Sequence, residues 1–224
     1  ATRTGIFRSI DGGTTWTRLV NGAGVNGCTD VTMQQNRTVA YVFASCGNFG
    51  QGTIYRGFDS NAGTLTSVLS QPGQGRSTIA IAPSNENYVY ILSARNNAGG
   101  PGANGLLGVF RSTVNGNPGS FTTQVAGNVD ANTGPLQARI NQLLLTNPVF
   151  GLLADCGFGG SNQFFNQGWY DNIIAVDPVD PNEYAERAFD DRSAAVTDPV
   201  QQQVLIELLT TSAMFAVLEP ALKV

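Results

Sequence analysis

The sequence predicts an all-β fold, a β-propeller of four-stranded antiparallel blades. Three observations carry that expectation. A short aromatic strand motif returns at blade-like intervals. An apolar strand-and-turn pattern interleaves with it. Glycine (27) and proline (10) are abundant over 224 residues while charged residues make up 12 %, so turns are many and polar positions fall to Thr, Ser, Asn and Gln.

The motif "GIFRS" at Gly5–Ser9 returns as "TIYRG" at Thr53–Gly57 and "GVFRS" at Gly108–Ser112. Phe7, Tyr55 and Phe110 correspond, and each is followed by an arginine: Arg8, Arg56 and Arg111. A Gly/Asn/Ser turn then leads into "TWTRL", "LTSVL" or "SFTTQV", short segments rich in β-formers. Each copy therefore reads as the outer hairpin of a blade, with the arginine expected to bridge neighbouring strands.

The second pattern supplies the inner hairpins. It runs through "DVTMQQNRTVAYVFAS" (Asp30–Ser45), "STIAIAPSNENYVYILSA" (Ser77–Ala94) and "DNIIAVDPVDPNEYA" (Asp171–Ala185). Pro83 and Pro178 end the first strand of the latter two, because proline cannot donate to a ladder. Asp177 and Asp180 are expected to cap the Pro178 turn. "TIAIA", "NIIAV" and "VAYVFA" are near-continuous apolar runs, which suits strands buried on both faces between neighbouring blades. About three and a half blades can be counted, whereas propellers close with roughly four to eight.

The pattern stops after Tyr184. No glycine follows Gly168, and Val200, Val204, Leu205, Leu208 and Leu209 fall at helical spacing behind Asp198-Pro199. Residues 1–184 are read as blades and 185–224 as a helical C-terminal extension or a segment not contiguous with them. Missing blades supplied by another chain are a further reading.

Several functions are excluded by residue type. The chain has no histidine, so a Ser-His-Asp triad and a His-ligated zinc site are ruled out. Net charge is −4 without a basic cluster, which argues against nucleic acid. No apolar run reaches the ~20 residues of a membrane span. No cofactor or metal site is expected. The cysteines, Cys28, Cys46 and Cys156, lack metal-ligand spacing. Cys28 and Cys46 flank one hairpin; they are read as a disulfide closing a loop of about 19 residues, worth roughly 3 kcal/mol on the chain-entropy estimate, or as two buried thiols. Cys156 has no partner in view.

"SIDGGTTW" resembles the Asp-box, the Ser/Thr-x-Asp-x-Gly-x-Thr-Trp turn of bacterial-neuraminidase-repeat propellers, with Ser9, Asp11, Gly13, Thr15 and Trp16 in place. Degenerate copies follow, with Asp59 at the second box and Asn115 and Phe121 standing in for aspartate and tryptophan at the third. "IAVDPVDPN" resembles the inner strand and turn of the same group, which includes sortilin-type propellers and xyloglucan-cleaving hydrolases. The resemblance runs from about Gly5 to Asn182 and implies a box lying away from the ligand-binding face. The residues agree: a short carboxylate at Asp11 can hold the turn's own N–H groups, Gly12 and Gly13 can supply positive φ, and Trp16 is expected to pack over the hairpin beside the next blade.

Three functional readings follow. The first is an extracellular non-catalytic propeller that binds a glycan or a protein. Its candidate residues are Phe158, Phe164, Phe165, Trp169 and Tyr170, aromatics set among Gly, Ser, Asn and Gln in "CGFGGSNQFFNQGWYDN", which suit stacking on sugar rings or, alternatively, plugging a channel. The second, implied by the resemblance, is a glycoside hydrolase with Asp30 and Asp171 as acid and base and Asp155 nearby; the bland alternative is that Asp30 and Asp171 bond backbone where their strands begin. The third is a structural subunit that self-assembles through open blade edges. All three place the chain in a secreted, periplasmic or cell-surface setting.

Overall fold

The computed structural model describes residues 1–59, 65–96, 103–127, 146–147, 165–166, 168–170 and 172–182. They form antiparallel β-structure, as the alternating and aromatic-rich patterns require. Strands β1 (Gly5–Arg8) and β2 (Thr17–Asn21) make a two-stranded sheet. Strands β3 (Cys28–Met33), β4 (Tyr41–Cys46), β5 (Thr53–Phe58) and β6 (Thr66–Leu69) make a four-stranded meander. Strands β7 (Gln74–Ile81), β8 (Val89–Arg95), β9 (Leu106–Ser112) and β10 (Thr122–Ala126) make another. The short strands β11 (Thr146–Asn147) and β12 (Phe165–Asn166) pair with each other. The helical segment expected over 185–224 lies outside the described residues.

Successive sheets stack face to face. Ile6 and Val20 of the first sheet pack on Cys28, Ala44 and Cys46 of the second. Phe43, Ile54, Val68 and Leu69 of the second pack on Ile79, Val89, Ile91 and Phe110 of the third. The other face of the third sheet, with Tyr90, Leu92, Ala94, Leu106 and Val109, carries Ile174 and Val176. Phe43, Ile54, Val89 and Ile91 are fully buried, so truncating Phe43 to alanine would cost about 3–5 kcal/mol.

The near-continuous apolar runs divide into two cases. In β8 six of seven residues are buried, and in β4 the last four are, because these strands lie inside their sheets with apolar side chains packed on both faces. The first strand of each meander is less covered: β3 leaves Val31 and Met33 exposed. The segment expected to open a further sheet, Asn172–Val176, has a single bridge position at Val176 and no ladder among the described residues. Its turn forms as expected: Asp177 Oδ1 accepts from Val179 N at 2.7 Å and Asp180 N at 2.8 Å, and Asp180 Oδ1 accepts from Asn182 N at 2.8 Å.

The repeated arginines reach further than neighbouring strands. Arg8 pairs with Asp59 of the next sheet at 3.3 Å. Arg56 lies over the Tyr41 ring at 4.1 Å and donates to Asn115 O and Asn117 Oδ1, both at 2.6 Å, again on the next sheet. Arg111 donates to Asn182 Oδ1 at 3.4 Å. A long side chain whose stem packs on its own sheet can thus carry its charge to the following one. Beside Arg56, buried Gln34 donates to Glu86 O at 2.8 Å and to Asn115 Oδ1 at 3.0 Å, while the Glu86 carboxylate accepts from the Gln35 and Asn36 amides.

Cys28 and Cys46 stand opposite each other where β3 begins and β4 ends, and they are joined by a disulfide. The bond links strands already in register, so its effect lies chiefly in shrinking the unfolded ensemble. Replacing both cysteines with alanine is expected to lower unfolding free energy by about 3 kcal/mol in denaturant titration while leaving far-UV circular dichroism unchanged. An unchanged midpoint would show that the crosslink contributes nothing.

Candidate functional site

The meanders put their loops on two opposite edges. One edge gathers the Ser9–Trp16 turn, the β3–β4 and β7–β8 turns and the β9–β10 turn. The other gathers the beginnings of β3 and β7, the Gly47–Gly52 loop between β4 and β5, and the Cys28–Cys46 disulfide. Candidate residues divide between these edges.

The Ser9–Trp16 turn is held by its own side chains. Asp11 Oδ1 accepts from Thr15 N at 2.9 Å and from Ser9 Oγ at 2.8 Å, and Asp11 Oδ2 accepts from Thr15 Oγ1 at 2.6 Å. Ser9 Oγ in turn accepts from Gly13 N at 2.7 Å. Gly12 and Gly13 take φ of 69° and 94°, the left-handed region that glycine enters without cost. Bonds from Thr15 and Ser9 hold the Asp11 carboxyl down at about 2, against an ordinary 3.8. Every lone pair used faces the turn, so Asp11 is a turn-former. Trp16 departs from expectation. Its ring is 61 % exposed and donates Nε1–H to Gly13 O at 2.9 Å, so it folds over its own turn and not against the next sheet.

The β9–β10 turn repeats this plan without the carboxylate. Ser112 Oγ accepts from Val114 N at 3.2 Å and Gly116 N at 3.0 Å, the same offsets that Ser9 uses. Val114 therefore occupies the aspartate place. Asn115, expected there, sits instead at the place of Gly12, with φ of 59°. Asparagine tolerates that conformation better than other side chains. The Ser120 hydroxyl, 2.7 Å from Ser112 Oγ, closes the turn in place of the missing carboxylate.

Asp30 projects from β3 toward the third sheet. Its Oδ2 accepts from Ile79 N of β7 at 2.7 Å, the backbone role set out as the bland alternative to catalysis. Burial pushes its carboxyl above the ordinary carboxylate value, with the Ile79 and Val31 amides and the Arg76 charge pulling the other way. The other two acids proposed for hydrolysis, Asp155 and Asp171, lie outside the described residues, as do the candidate aromatics Phe158 and Phe164. Phe165 is described only as part of β12. Among the described residues no group of three acids or cysteines is arranged to hold a metal ion, and no helix is long and apolar enough to cross a membrane.

Trp169 and Tyr170 are the candidate aromatics the structure does describe, 40 % and 68 % exposed. Their rings are 5.6 Å apart, and Phe49 from the β4–β5 loop stands 5.8 Å from Trp169. The group is fixed from beneath. Arg76 Nη1 donates to Trp169 O at 3.2 Å, Asn172 Nδ2 donates to Arg76 O at 3.0 Å, and Thr78 Oγ1 donates to Asn172 O at 2.7 Å. The loops pack closely here because a side chain is missing: a Cβ on Gly52 would fall 2.3 Å from the Gly75 carbonyl oxygen. The result is a group of three partly exposed rings with the Arg76 guanidinium beneath it. Phe49 and Arg76 were missed from sequence. "CGNFGQG" does carry a signal, an aromatic isolated among glycines and amides, but it is much weaker than the aromatic density around Trp169.

No protein-family profile, curated protein or solved structure matches this chain.

Two carboxyls give pH-dependent expectations. The folded pKa of Asp11 is depressed, so its contribution is complete above the unfolded value of 3.8 and is lost as pH falls through about 2. Carboxyl NMR should place its midpoint near 2, with the Thr15 amide shift moving in step; a midpoint near 3.8 would mean the turn is not held this way. Asp30 has the opposite sign. Its raised folded pKa means stability is lost as pH rises from 3.8 through the folded value. Asp30→Asn keeps an acceptor for Ile79 and removes the charge. Its stability relative to wild type should therefore rise across that window; an advantage that falls with pH would contradict the burial argument.

Proposed function

We propose that the chain is an extracellular, non-catalytic β-propeller module of the Asp-box type that binds a glycan on the edge bearing Phe49, Trp169 and Tyr170. The observation that carries this reading is the group of three partly exposed rings, 5.8 and 5.6 Å apart, with the Arg76 guanidinium held against the Trp169 backbone. Aromatic faces stack on the C–H faces of pyranose rings, while amides and arginines hydrogen-bond the hydroxyls. Rigid support favours binding, because little side-chain entropy is lost when a ligand arrives. Here the backbone beneath the rings is tied to Arg76 and Thr78.

The propeller assignment is supported by stacked four-stranded antiparallel meanders and by the Ser9–Trp16 turn, whose bonds match the role that the resemblance implies for the box. The aromatic group lies on the edge opposite that turn, where the resemblance places ligands. Extracellular placement is supported by the disulfide, since such bonds persist in oxidising compartments. A non-catalytic role is favoured because Asp30 is engaged with the Ile79 amide.

The test is affinity electrophoresis and calorimetry against soluble neutral and acidic polysaccharides. At least one should bind wild-type protein, and Trp169→Ala should weaken it by about tenfold, or ~1.4 kcal/mol, without lowering the unfolding midpoint. Absence of binding across the panel, or binding indifferent to both Trp169→Ala and Tyr170→Ala, would reject this site.

A further inference from the structure

One asparagine of the chain stands two residues before a hydroxyl side chain: Asn36, in Asn36-Arg37-Thr38, within the connection between β3 and β4. Asn-x-Ser/Thr, with x other than proline, is the acceptor sequence for N-linked glycans, and it is used on surface loops. No other asparagine has serine or threonine in that place; Asn26, for example, precedes Cys28.

The structure puts this tripeptide where a bulky group can stand. The connection is pinned at its base, where Gln34 N donates to Tyr41 O and Tyr41 N donates to Gln34 Oε1, both at 3.1 Å. Gln34 is buried, whereas the residues that follow, from Gln35 to Val39, are all exposed. Asn36 belongs to no ladder, so a sugar on it breaks no strand pairing. Glu86, from the β7–β8 turn, holds the bend from within by accepting from Asn36 N at 3.0 Å. The Asn36 side chain is barely engaged: Nδ2 lies 3.4 Å from Glu86 Oε1, at the long end of hydrogen-bond distances. Nδ2 carries two hydrogens and keeps one after glycosylation, so the contact with Glu86 can survive.

Asparagines whose amides hold the sheets together make the contrast. Asn172 Nδ2 donates to Arg76 O at 3.0 Å, and Asn115 Oδ1 accepts from Gln34 Nε2 at 3.0 Å. Neither precedes a hydroxyl residue. The acceptor sequence thus occurs at an asparagine that can carry a sugar without loss of an inter-sheet bond. The Cys28–Cys46 disulfide agrees with it, since such bonds persist in the oxidising compartments where N-glycans are added. The β3–β4 turn also lies on the edge opposite Phe49, Trp169 and Tyr170, so a glycan there leaves those rings open.

We propose that Asn36 is an N-glycan acceptor. Its Nδ2 attacks the anomeric carbon of an oligosaccharide carried on a polyprenyl diphosphate. The C–N bond forms as the C–O bond to the diphosphate breaks. The diphosphate leaves with the electron pair, and one Nδ2 proton passes to a base of the transferring enzyme. The Thr38 hydroxyl is the group by which that enzyme recognises the site. The inference rests on the extracellular placement proposed above and not on ligand binding.

Passage of the full chain through the secretory pathway of yeast, followed by mass spectrometry with and without peptide N-glycosidase, tests it. Wild-type protein should carry one N-glycan, on the peptide that contains Asn36. Occupancy should fall at least tenfold in Thr38→Ala, which leaves Asn36 and its Glu86 contact in place. Asn36→Gln should abolish it, and Thr38→Ser should retain it. Both positions are exposed, so the circular dichroism of the variants should match wild type. Protein from the membrane or secreted fraction with Asn36 unmodified would overturn the proposal, and so would a glycan that survives Thr38→Ala. A polysaccharide panel that fails to bind rejects the ring group alone and leaves an occupied Asn36 as support for this site.

Discussion

The contact between β3 and β7 is the one on which the other features depend. Meanders of two to four strands, each of four to eight residues, bury too little on their own to be stable. They persist because their apolar faces pack on neighbouring elements. The Asp30 carboxylate fixes that meeting at a particular height by capturing the Ile79 amide, an N–H at the rim of its sheet that would otherwise go unpaired. With that height set, Phe43 fits among Ile79, Val89 and Ile91. Arg56 then reaches Asn115 and Asn117, and Gln34 reaches Glu86. The polar bonds set register and the apolar faces supply the free energy.

Much of this was legible in the sequence, because strands and turns depend on local chemistry. The returning "G-[IV]-F-R-S" units located β1 and β9, and its variant "TIYRG" located β5. Ser9, Asp11, Gly13 and Thr15 could be read as a self-bonded turn, since a carboxylate four residues before a threonine can reach both its amide and its hydroxyl. The disulfide followed from two cysteines at matching ends of one hairpin. What could not be read depends on objects distant in sequence. Arg8, Arg56 and Arg111 reach turns of the following sheet, a contact that no spacing encodes. Trp16 folds onto its own turn, donating Nε1–H to Gly13 O. Asn115 was misplaced by one position. Only the bonds to Ser112 show that Val114 holds the aspartate place and that Asn115 replaces a glycine.

The site was partly legible for the same reasons. Aromatic density singled out Trp169 and Tyr170, whose rings are exposed in the structure. Phe49 joins them from a loop 120 residues earlier, brought there by the close approach of Gly52 to Gly75. Asp30 shows the converse. An acid at the start of an inner strand looks like a catalyst in sequence, and in the structure its carboxylate accepts a hydrogen bond from a neighbouring sheet. The separation of structure-holding turns on one edge from exposed rings on the other follows from the meander itself, which sends alternate connections to opposite ends.

Amide hydrogen exchange at Ile79 tests the stacking most directly. In wild-type protein this amide should be protected although it faces away from its own ladder partner. In Asp30→Ala it should exchange much faster, while the Ile91 amide within the sheet keeps its protection and stability falls by the ~1–3 kcal/mol of an unsatisfied buried donor. Equal exchange at Ile79 in the two proteins would mean that β3 and β7 do not meet through this carboxylate, and the order of sheets derived from it would fail.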